Sequence, residues 1–152
     1  STGKASEGEW LKSIGATDII DRSETSVEQT KPLEKERWAG AVDCVGGNTL
    51  AYVLRTLKYG ASVAASGLTG GANLPTTVLP FILRGVNLLG IDSVSGSMDD
   101  RKMMWTRIAT DLKPTWLDTQ ESLVVGLDTV EPYLDAILKG QVKSRVLVDP
   151  RI

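Results

Sequence analysis

The sequence has 152 residues, a length typical of one domain, and its 17 Lys and Arg nearly balance its 19 Asp and Glu. This balance argues against a dedicated nucleic-acid-binding protein, which needs a basic face. Histidine is absent and Cys44 is the only cysteine, which removes the most common general base, a disulfide framework and a thiolate zinc site. No apolar run approaches the length of a membrane span. We therefore expect a cytoplasmic protein that has neither zinc nor a membrane partner.

The first segment predicts a helix followed by a short strand. Ser6 is a candidate N-cap, and Gly15 stands where the helix is expected to stop. The apolar positions between them are Trp10, Leu11 and Ile14. The run 18–21 predicts a strand. Residues 22–36 are polar and charged, which predicts a surface excursion.

Two buried strands with a helix between them are predicted next. Residues 39–45 are small and apolar and end at Gly46-Gly47, as expected of a buried parallel strand. Asn48 is a candidate cap for the helix that follows, and Tyr59-Gly60 is expected to close it. Its apolar positions are Leu50, Ala51, Val53, Leu54 and Leu57. Residues 61–65 predict the second strand.

The second half of the chain continues the alternation of strands and helices. Residues 67–80 are rich in Gly, Thr and Pro and predict a loop, after which 81–85 predict a single helical turn. A third apolar strand is predicted over 86–91. The remaining predicted elements are helices over 98–112 and 127–138 and a strand over 144–148.

This alternation predicts an α/β fold with a doubly wound parallel sheet of the Rossmann-like type. Ligands of such sheets bind at the carboxyl ends of the strands, so the candidate site lies at residues 45–47, 66–69 and 92–93. The fingerprint G-x-G-x-x-G is missing, because a Pro-containing loop rather than a helix follows 67–71. Either this is no dinucleotide domain, or the sheet is incomplete and lacks the first strand and glycine-rich loop. The abrupt start at Ser1 favours the second interpretation.

Several residues at these strand ends are candidates for ligand binding. Thr2-Gly3-Lys4 offers a hydroxyl, a glycine and a cation where an NAD-selective domain carries a carboxylate for the ribose 2′-OH. A 2′-phosphate would need such donors and cations, although a solvated terminus is the alternative. Arg22 and Arg145 are further candidate cations, and each could instead be an ordinary surface residue.

The remaining candidates lie after the first and third buried strands. Glycines at 46 and 47 could let the backbone approach a ligand closely, or they could serve a tight strand-to-helix turn. The hydroxyl of Ser93 could bond a carboxamide. Cys44 is interpreted as a small core residue. No nucleophile is paired with a base, so the catalytic residues stay unknown.

The assembled segments resemble one family. The stretches that carry the resemblance are Trp10–Ala16, Pro32–Lys35, Trp38–Asp43, Gly67–Gly71, Leu74–Val86 and Leu89–Val94. They are similar to the zinc-free medium-chain dehydrogenases/reductases, in particular the acrylyl-CoA reductase group, whose members also carry the name quinone oxidoreductase. The similarity covers nearly the whole chain. It implies that residues 1–140 are the distal part of an NADPH-binding Rossmann domain. Residues 141–152 would be a strand that returns toward an absent catalytic domain.

The resemblance also implies a set of contacts to NADPH. Four residues would surround the adenosine 2′-phosphate, two would lie along the dinucleotide, three would lie toward the nicotinamide, and one would reach the cofactor from the returning strand. In that order, they are Thr2, Gly3, Lys4 and Arg22; Val45 and Gly46; Leu68, Ile82 and Ser93; and Arg145. Lys4 stands where some members have Arg, so it would bind as a point charge without the bidentate fork.

By the same resemblance, the parent enzyme would transfer hydride from NADPH to an α,β-unsaturated thioester such as acrylyl-CoA. A quinone or another enone is the alternative substrate within the superfamily. A non-enzymatic α/β module for binding or dimerisation is a third possibility, because the chain contains no enzyme constellation. The resemblance further implies a C2 homodimer through residues 67–94, in which the third strand pairs with its copy. Alone, the chain is expected to be inactive and to bind NADPH weakly.

Overall fold

The computed structural model describes residues 1–28, 30–117 and 122–152, and the chain forms two compact units, Ser1–Thr106 and Arg107–Ile152. The first unit contains a 3-10 turn at Ala5–Glu7 and then α1 (Gly8–Ser13), α2 (Arg22–Ser26), β1 (Trp38–Asp43), α3 (Gly47–Thr56), β2 (Leu57–Ala65), α4 (Leu79–Arg84) and β3 (Asn87–Gly90). Helix α5 (Met98–Ala109) runs from the first unit into the second. The second unit contains β4 (Leu123–Val125), a 3-10 turn at Leu127–Thr129, α6 (Glu131–Leu138) and β5 (Val146–Val148).

The described strands all pair in parallel, which confirms the predicted α/β class with a parallel sheet. In the first unit the order is β1-β2-β3. Asp43 pairs with Ala65, and Ala65 pairs with Gly90. The loops that follow the three strands therefore leave the sheet at one common edge.

The core of the first unit lies between α3 and the sheet. Leu54, Leu57 and Val63 are each 0% exposed, and Leu50 and Val86 pack with them. Burial of one such side chain contributes about 1.5–3 kcal/mol relative to leaving it in water. The predicted apolar stripe of the second helix is thus confirmed at Leu50, Val53 and Leu54, whereas Leu57, predicted to be helical, is the first residue of β2.

The segment around residues 18–26 differs from the prediction. The expected strand over 18–21 is reduced to a single parallel bridge between Thr2 and Asp21. The extended segment ends at Asp21 because this residue caps α2. Its Oδ1 accepts a hydrogen bond from the Ser23 amide at 2.8 Å. The predicted polar excursion therefore contains a short helix.

Three helix boundaries also differ. Ser6 lies inside the 3-10 turn rather than at an N-cap, and α3 begins after Gly46, so Asn48 is already helical. Helix α3 ends at Thr56, and β2 starts at once. Tyr59 and Gly60 do not close the helix; they bulge out of β2, where the pairing with β1 shifts register and Gly60 has φ +71°.

The second unit contains a two-stranded parallel sheet of its own. Strand β4 was not predicted; it pairs in parallel with the predicted last strand, β5. The predicted helix over 127–138 is divided into a 3-10 turn and α6. The turn closes because the Thr129 amide donates to the Gly126 carbonyl at 3.2 Å. Pro132 lies in the first turn of α6, where its missing N–H costs nothing.

Candidate functional site

Two loops interlock where β1 and β2 end. Gly46 has φ +71°, and a Cβ built on it would fall 2.5 Å from the Gly71 carbonyl oxygen. A Cβ at Gly67 would fall 2.7 Å from the Cys44 carbonyl oxygen. In addition, the Gly70 amide donates to the Val45 carbonyl at 2.7 Å. The sequence pattern alone left a ligand or a tight turn as the reason for these glycines, and the close approach of the two backbones is itself sufficient.

Asp43 fixes the first of these loops. Its carboxylate is buried, and Oδ2 accepts hydrogen bonds from the Gly46 amide at 2.8 Å and the Val45 amide at 3.3 Å. Its carbonyl accepts from the Ser66 amide at 2.8 Å. The Val45 and Gly46 amides therefore bond to Asp43 within the protein and do not form an anion site. Asp43 was not among the predicted site residues, although an Asp shortly before a glycine pair is a signal for such a turn.

Cys44 is exposed, so its interpretation as a core residue is wrong. Successive side chains of a strand point to opposite faces, and the buried side chain at this end of β1 is that of Asp43. Val42, on the same side as Cys44, is 83% exposed. Val42 and Cys44 are therefore exposed for the same reason: both side chains point away from the face on which Asp43 is buried.

The four residues predicted around a 2′-phosphate lie together. The Thr2 amide donates to the Ile20 carbonyl, and the Arg22 amide donates to the Thr2 carbonyl, both at 2.9 Å. A Cβ at Gly3 would lie 3.0 Å from Arg22 Cζ, so the guanidinium crosses the glycine. The Lys4 amide donates to Thr2 Oγ1 at 3.0 Å. One short parallel bridge thus brings a hydroxyl, an open backbone and a guanidinium to one place.

A cleft of about 470 Å³ lies beside β1. Its lining includes Ser1 and Thr2 from the first residues of the chain, Cys44 and Val45 from the loop after β1, and residues of α1 and α3. Two of the predicted cofactor contacts, Thr2 and Val45, therefore open into the same space.

The loop after β3 carries the predicted contact Ser93. Asp92 Oδ1 accepts hydrogen bonds from the Val94 amide at 2.9 Å and the Ser95 amide at 3.0 Å. The Ser95 amide, followed by the Val94 amide, lowers the pKa of the Asp92 carboxyl. The side chain of Arg101, on α5, donates to the carbonyls of the same loop.

The other predicted contacts lie apart from this loop in the chain. Leu68, in the loop after β2, is 64% exposed, and Ile82, on α4, is 68% exposed. Arg145 belongs to the second unit, where its Nη1 donates to the Ser144 carbonyl at 3.1 Å. Their contact with a cofactor stays a prediction.

The first 110 residues show to which protein family the chain belongs. Residues 1–110 match the model of the family described as zinc-binding dehydrogenase. The chain belongs to the zinc-binding dehydrogenase family. The fold agrees with this assignment, since the matched region contains the whole three-stranded parallel sheet.

Two relatives confirm the resemblance to the acrylyl-CoA reductase group. Acrylyl-CoA reductase AcuI of Ruegeria pomeroyi is 53% identical over 150 residues, which are 97% of this chain and 44% of the relative. YhfP of Bacillus subtilis, which is named as a quinone oxidoreductase, is 47% identical over 97% of this chain and 45% of its own length. The chain thus spans less than half the length of these relatives.

Solved structures give the same fold. The crystal structure of YhdH from Escherichia coli with bound NADPH matches with a TM-score of 0.86 and 44% identity, covering 97% of this chain and 45% of that one. The crystal structure of Bacillus subtilis YhfP with bound NAD matches with a TM-score of 0.89, 46% identity and the same coverage. The Rossmann-like class predicted from the sequence is therefore confirmed.

The zinc in the family's name does not fit this chain. The sequence contains no histidine and a single cysteine. In the ranges that the structure describes, no group of three or more His, Cys, Asp or Glu side chains could hold a metal ion. Neither does any helix in those ranges have the length and apolarity needed to cross a membrane.

Proposed function

We propose that this chain is the cofactor-binding part of an NADPH-dependent reductase that transfers hydride to an α,β-unsaturated thioester such as acrylyl-CoA. The observation that carries the proposal is the position of the Arg22 guanidinium over Gly3, the residue that precedes Lys4 in the chain. The 53% identity to an acrylyl-CoA reductase supports the substrate class. NADPH supplies the hydride; the tasks of this chain are to bind, orient and shield it.

The cluster of Thr2, Gly3, Lys4 and Arg22 fits the adenosine 2′-phosphate. Charged donors on an anion form stronger hydrogen bonds than neutral donors, and Arg22 can bind in a bidentate way. A side chain at residue 3 would require that guanidinium to shift by a few tenths of an ångström, so glycine suits the position. Thr2 adds a hydroxyl on the same bridge.

The choice of NADPH over NADH also rests on Asp21, whose backbone pairs with that of Thr2. An NAD-selective site uses a carboxylate to hold the ribose 2′-OH. Here Asp21 Oδ1 is already occupied by the amide and the hydroxyl of Ser23, at 2.8 and 2.6 Å. We therefore expect NADPH to be preferred, although one related structure carries NAD.

The nicotinamide end would lie across the loops after β2 and β3. Leu68 and Ile82 present exposed apolar side chains that can cover a ring and exclude water. The Ser93 hydroxyl can bond the carboxamide. Val45 and Gly46 would line the path of the dinucleotide, and Arg145 would approach from residues 141–152, which we propose to return toward a catalytic domain.

A homodimer through residues 67–94 is part of the proposal. Strand β3 is the edge of its sheet, and all four of its residues are exposed. Pairing with a second copy would satisfy the open edge. We also propose a cytoplasmic location, where a reducing environment would keep the exposed Cys44 as a thiol.

Quinone reduction is the second candidate function. It is favoured by the 47% identity to a protein named as a quinone oxidoreductase. Both reactions would use the same hydride donor, so the residues of this chain do not separate them.

The test is a titration of NADPH and NADH into the full-length protein, followed by nicotinamide fluorescence, with Lys4→Glu and the matched control Lys139→Glu. We expect wild-type protein to prefer NADPH and Lys4→Glu alone to lose that preference. Turnover of acrylyl-CoA and of a soluble quinone then distinguishes the two substrate classes. Absence of binding to either cofactor would overturn the proposal in favour of a non-enzymatic module.

A further inference from the structure

Arg101 ties α5 to the loop that carries Ser93. Its Nε donates to the Gly96 carbonyl at 3.1 Å, and its Nη2 donates to the Val94 carbonyl at 3.0 Å. The same Nη2 donates to the Ser93 carbonyl. One planar guanidinium therefore holds three carbonyls of a four-residue loop.

The other face of the loop is held by Asp92. Its carboxylate accepts hydrogen bonds from the Val94 and Ser95 amides. The carbonyls of the loop therefore bond to a cation, Arg101, and its amides bond to an anion, Asp92. Charge-assisted bonds of this kind are stronger than bonds between neutral groups. An exposed loop that would otherwise move is thus fixed by one cation and one anion.

Ser93 is the residue that this fixation leaves available. Its carbonyl is bound by Arg101, whereas in the described part of the chain its hydroxyl forms no hydrogen bond of its own. The residue is exposed and follows β3, whose end lies next to the end of β2. A hydroxyl held by its backbone and open to solvent is poised to bind a ligand at this edge.

We propose that Arg101 is a positioning residue that sets the Ser93 hydroxyl for the carboxamide end of the nicotinamide cofactor. This role rests on the proposed function, since it requires a dinucleotide at the carboxyl edge of the sheet. Arg101 itself stays on the loop carbonyls and makes no contact with the cofactor. Lysine cannot replace it fully, because an ammonium group lacks the planar fork that reaches three carbonyls.

The experiment uses the full-length protein and two ligands, NADPH and 2′,5′-ADP, which has the adenosine phosphates but no nicotinamide. We expect Arg101→Ala to weaken NADPH binding about tenfold, because the Ser93 hydroxyl then loses the orientation in which it would bond the carboxamide, and one hydrogen bond changes affinity by up to about tenfold. Binding of 2′,5′-ADP is expected to stay unchanged. Arg101→Lys should lie between, and Arg107→Ala, on the same helix, should match the wild type for both ligands.

A double-mutant cycle separates positioning from general stabilisation. If Arg101 acts through Ser93, then Arg101→Ala adds little to the loss caused by Ser93→Ala. Full additivity, or a parallel loss of NADPH and 2′,5′-ADP, would overturn the positioning role. Should Arg101→Ala fail to fold, the same comparisons with Arg101→Lys decide.

The proposed function fails in a different way. A wild-type protein that binds neither ligand would overturn both proposals at once. A wild-type protein that binds both, with Arg101→Ala binding NADPH equally well, would overturn only the role of Arg101.

Discussion

The guanidinium of Arg22 lies so close to Gly3 that a Cβ there would come within 3.0 Å of Arg22 Cζ and 3.3 Å of Nε. The φ of Gly3 lies outside the left-handed region that favours glycine. Glycine therefore suits this position because it leaves space for the Arg22 side chain, not because of its backbone flexibility. The bridge between Thr2 and Asp21 holds the two segments in this arrangement. Residues 19 positions apart in the chain thus place a guanidinium against an open backbone.

Gly3→Ala should therefore impair NADPH binding by displacing the Arg22 side chain. We expect affinity for NADPH to fall about three- to tenfold, an energy of about 1 kcal/mol, while affinity for NADH is unchanged. Isothermal titration of both cofactors measures this. Gly8→Ala is the control, because a Cβ there meets only Ile19 at 3.9 Å. Equal loss of both cofactors would contradict the specific role of the pair.

Removal of the cation itself should have a larger effect. Arg22→Ala is expected to reduce NADPH affinity by about tenfold or more, since a hydrogen bond to a charged group contributes about 1.5–3 kcal/mol. Arg22→Lys should retain part of the affinity, because the charge remains and the fork is lost. The difference should shrink as salt is raised. Wild-type preference for NADPH in Arg22→Ala would show that the phosphate binds elsewhere.

The interlocked loops predict a stability effect at Gly46. Gly46→Ala places a methyl group 2.5 Å from the Gly71 carbonyl oxygen and forces alanine to φ +71°. Both effects destabilise, and we expect a loss of roughly 2–4 kcal/mol. Chemical denaturation of the full-length protein measures it. Gly8→Ala serves again as the control, and an unchanged midpoint for Gly46→Ala would mean that the loops separate in solution.

Arg84 links three parts of the first unit. Its Nη1 donates to the Arg55 carbonyl at 2.8 Å and to the Leu57 carbonyl at 3.3 Å, and its Nη2 donates to the Glu34 carbonyl. The side chain is only 15% exposed. Arg84→Ala removes one donor from each of these carbonyls, of which the Arg55 carbonyl keeps the Glu34 amide at 3.0 Å, and should cost about 2–4 kcal/mol.

The matched surface control for Arg84 is Arg107→Ala. Arg107 pairs with Asp111, and both side chains are about half exposed, so its loss should change stability by less than about 0.5 kcal/mol. Equal effects of the two substitutions in thermal unfolding would disprove the bridging role of Arg84.

Asp21 predicts a pH effect with a defined sign. The Ser23 hydroxyl, followed by the Ser23 amide, lowers the pKa of the Asp21 carboxyl below its ordinary value. A lowered pKa in the folded state means that the cap stabilises α2 above about pH 4 and that this contribution is lost as pH falls through the folded pKa. An NMR titration of the carboxyl should show the lowered pKa, and Ser23→Ala should raise it. Asp21→Asn keeps a capping group without the titration.

The sequence by itself determined the class of the fold and most of its core. Small apolar runs that end in glycine predict the parallel strands, although β3 and much of β1 are exposed rather than buried as predicted, and the stripe containing Leu50 and Leu54 predicts the helix that packs on β2. These signals are local, because the apolar periodicity and the position of a glycine depend only on residues that are close together in the sequence. The family resemblance was readable for the same reason, since the stretch 67–94 is continuous.

The tertiary structure decided which distant residues meet. Arg22 reaches Gly3 only through the Thr2–Asp21 bridge, and Gly46 needs its missing side chain because Gly71 lies against it. Neither relationship leaves a periodic signal, since each depends on how two loops cross. The same holds for Arg101, whose three carbonyl partners are defined by the shape of one turn. Local sequence selects elements, whereas contacts between loops arise only once the sheet brings their ends to one edge.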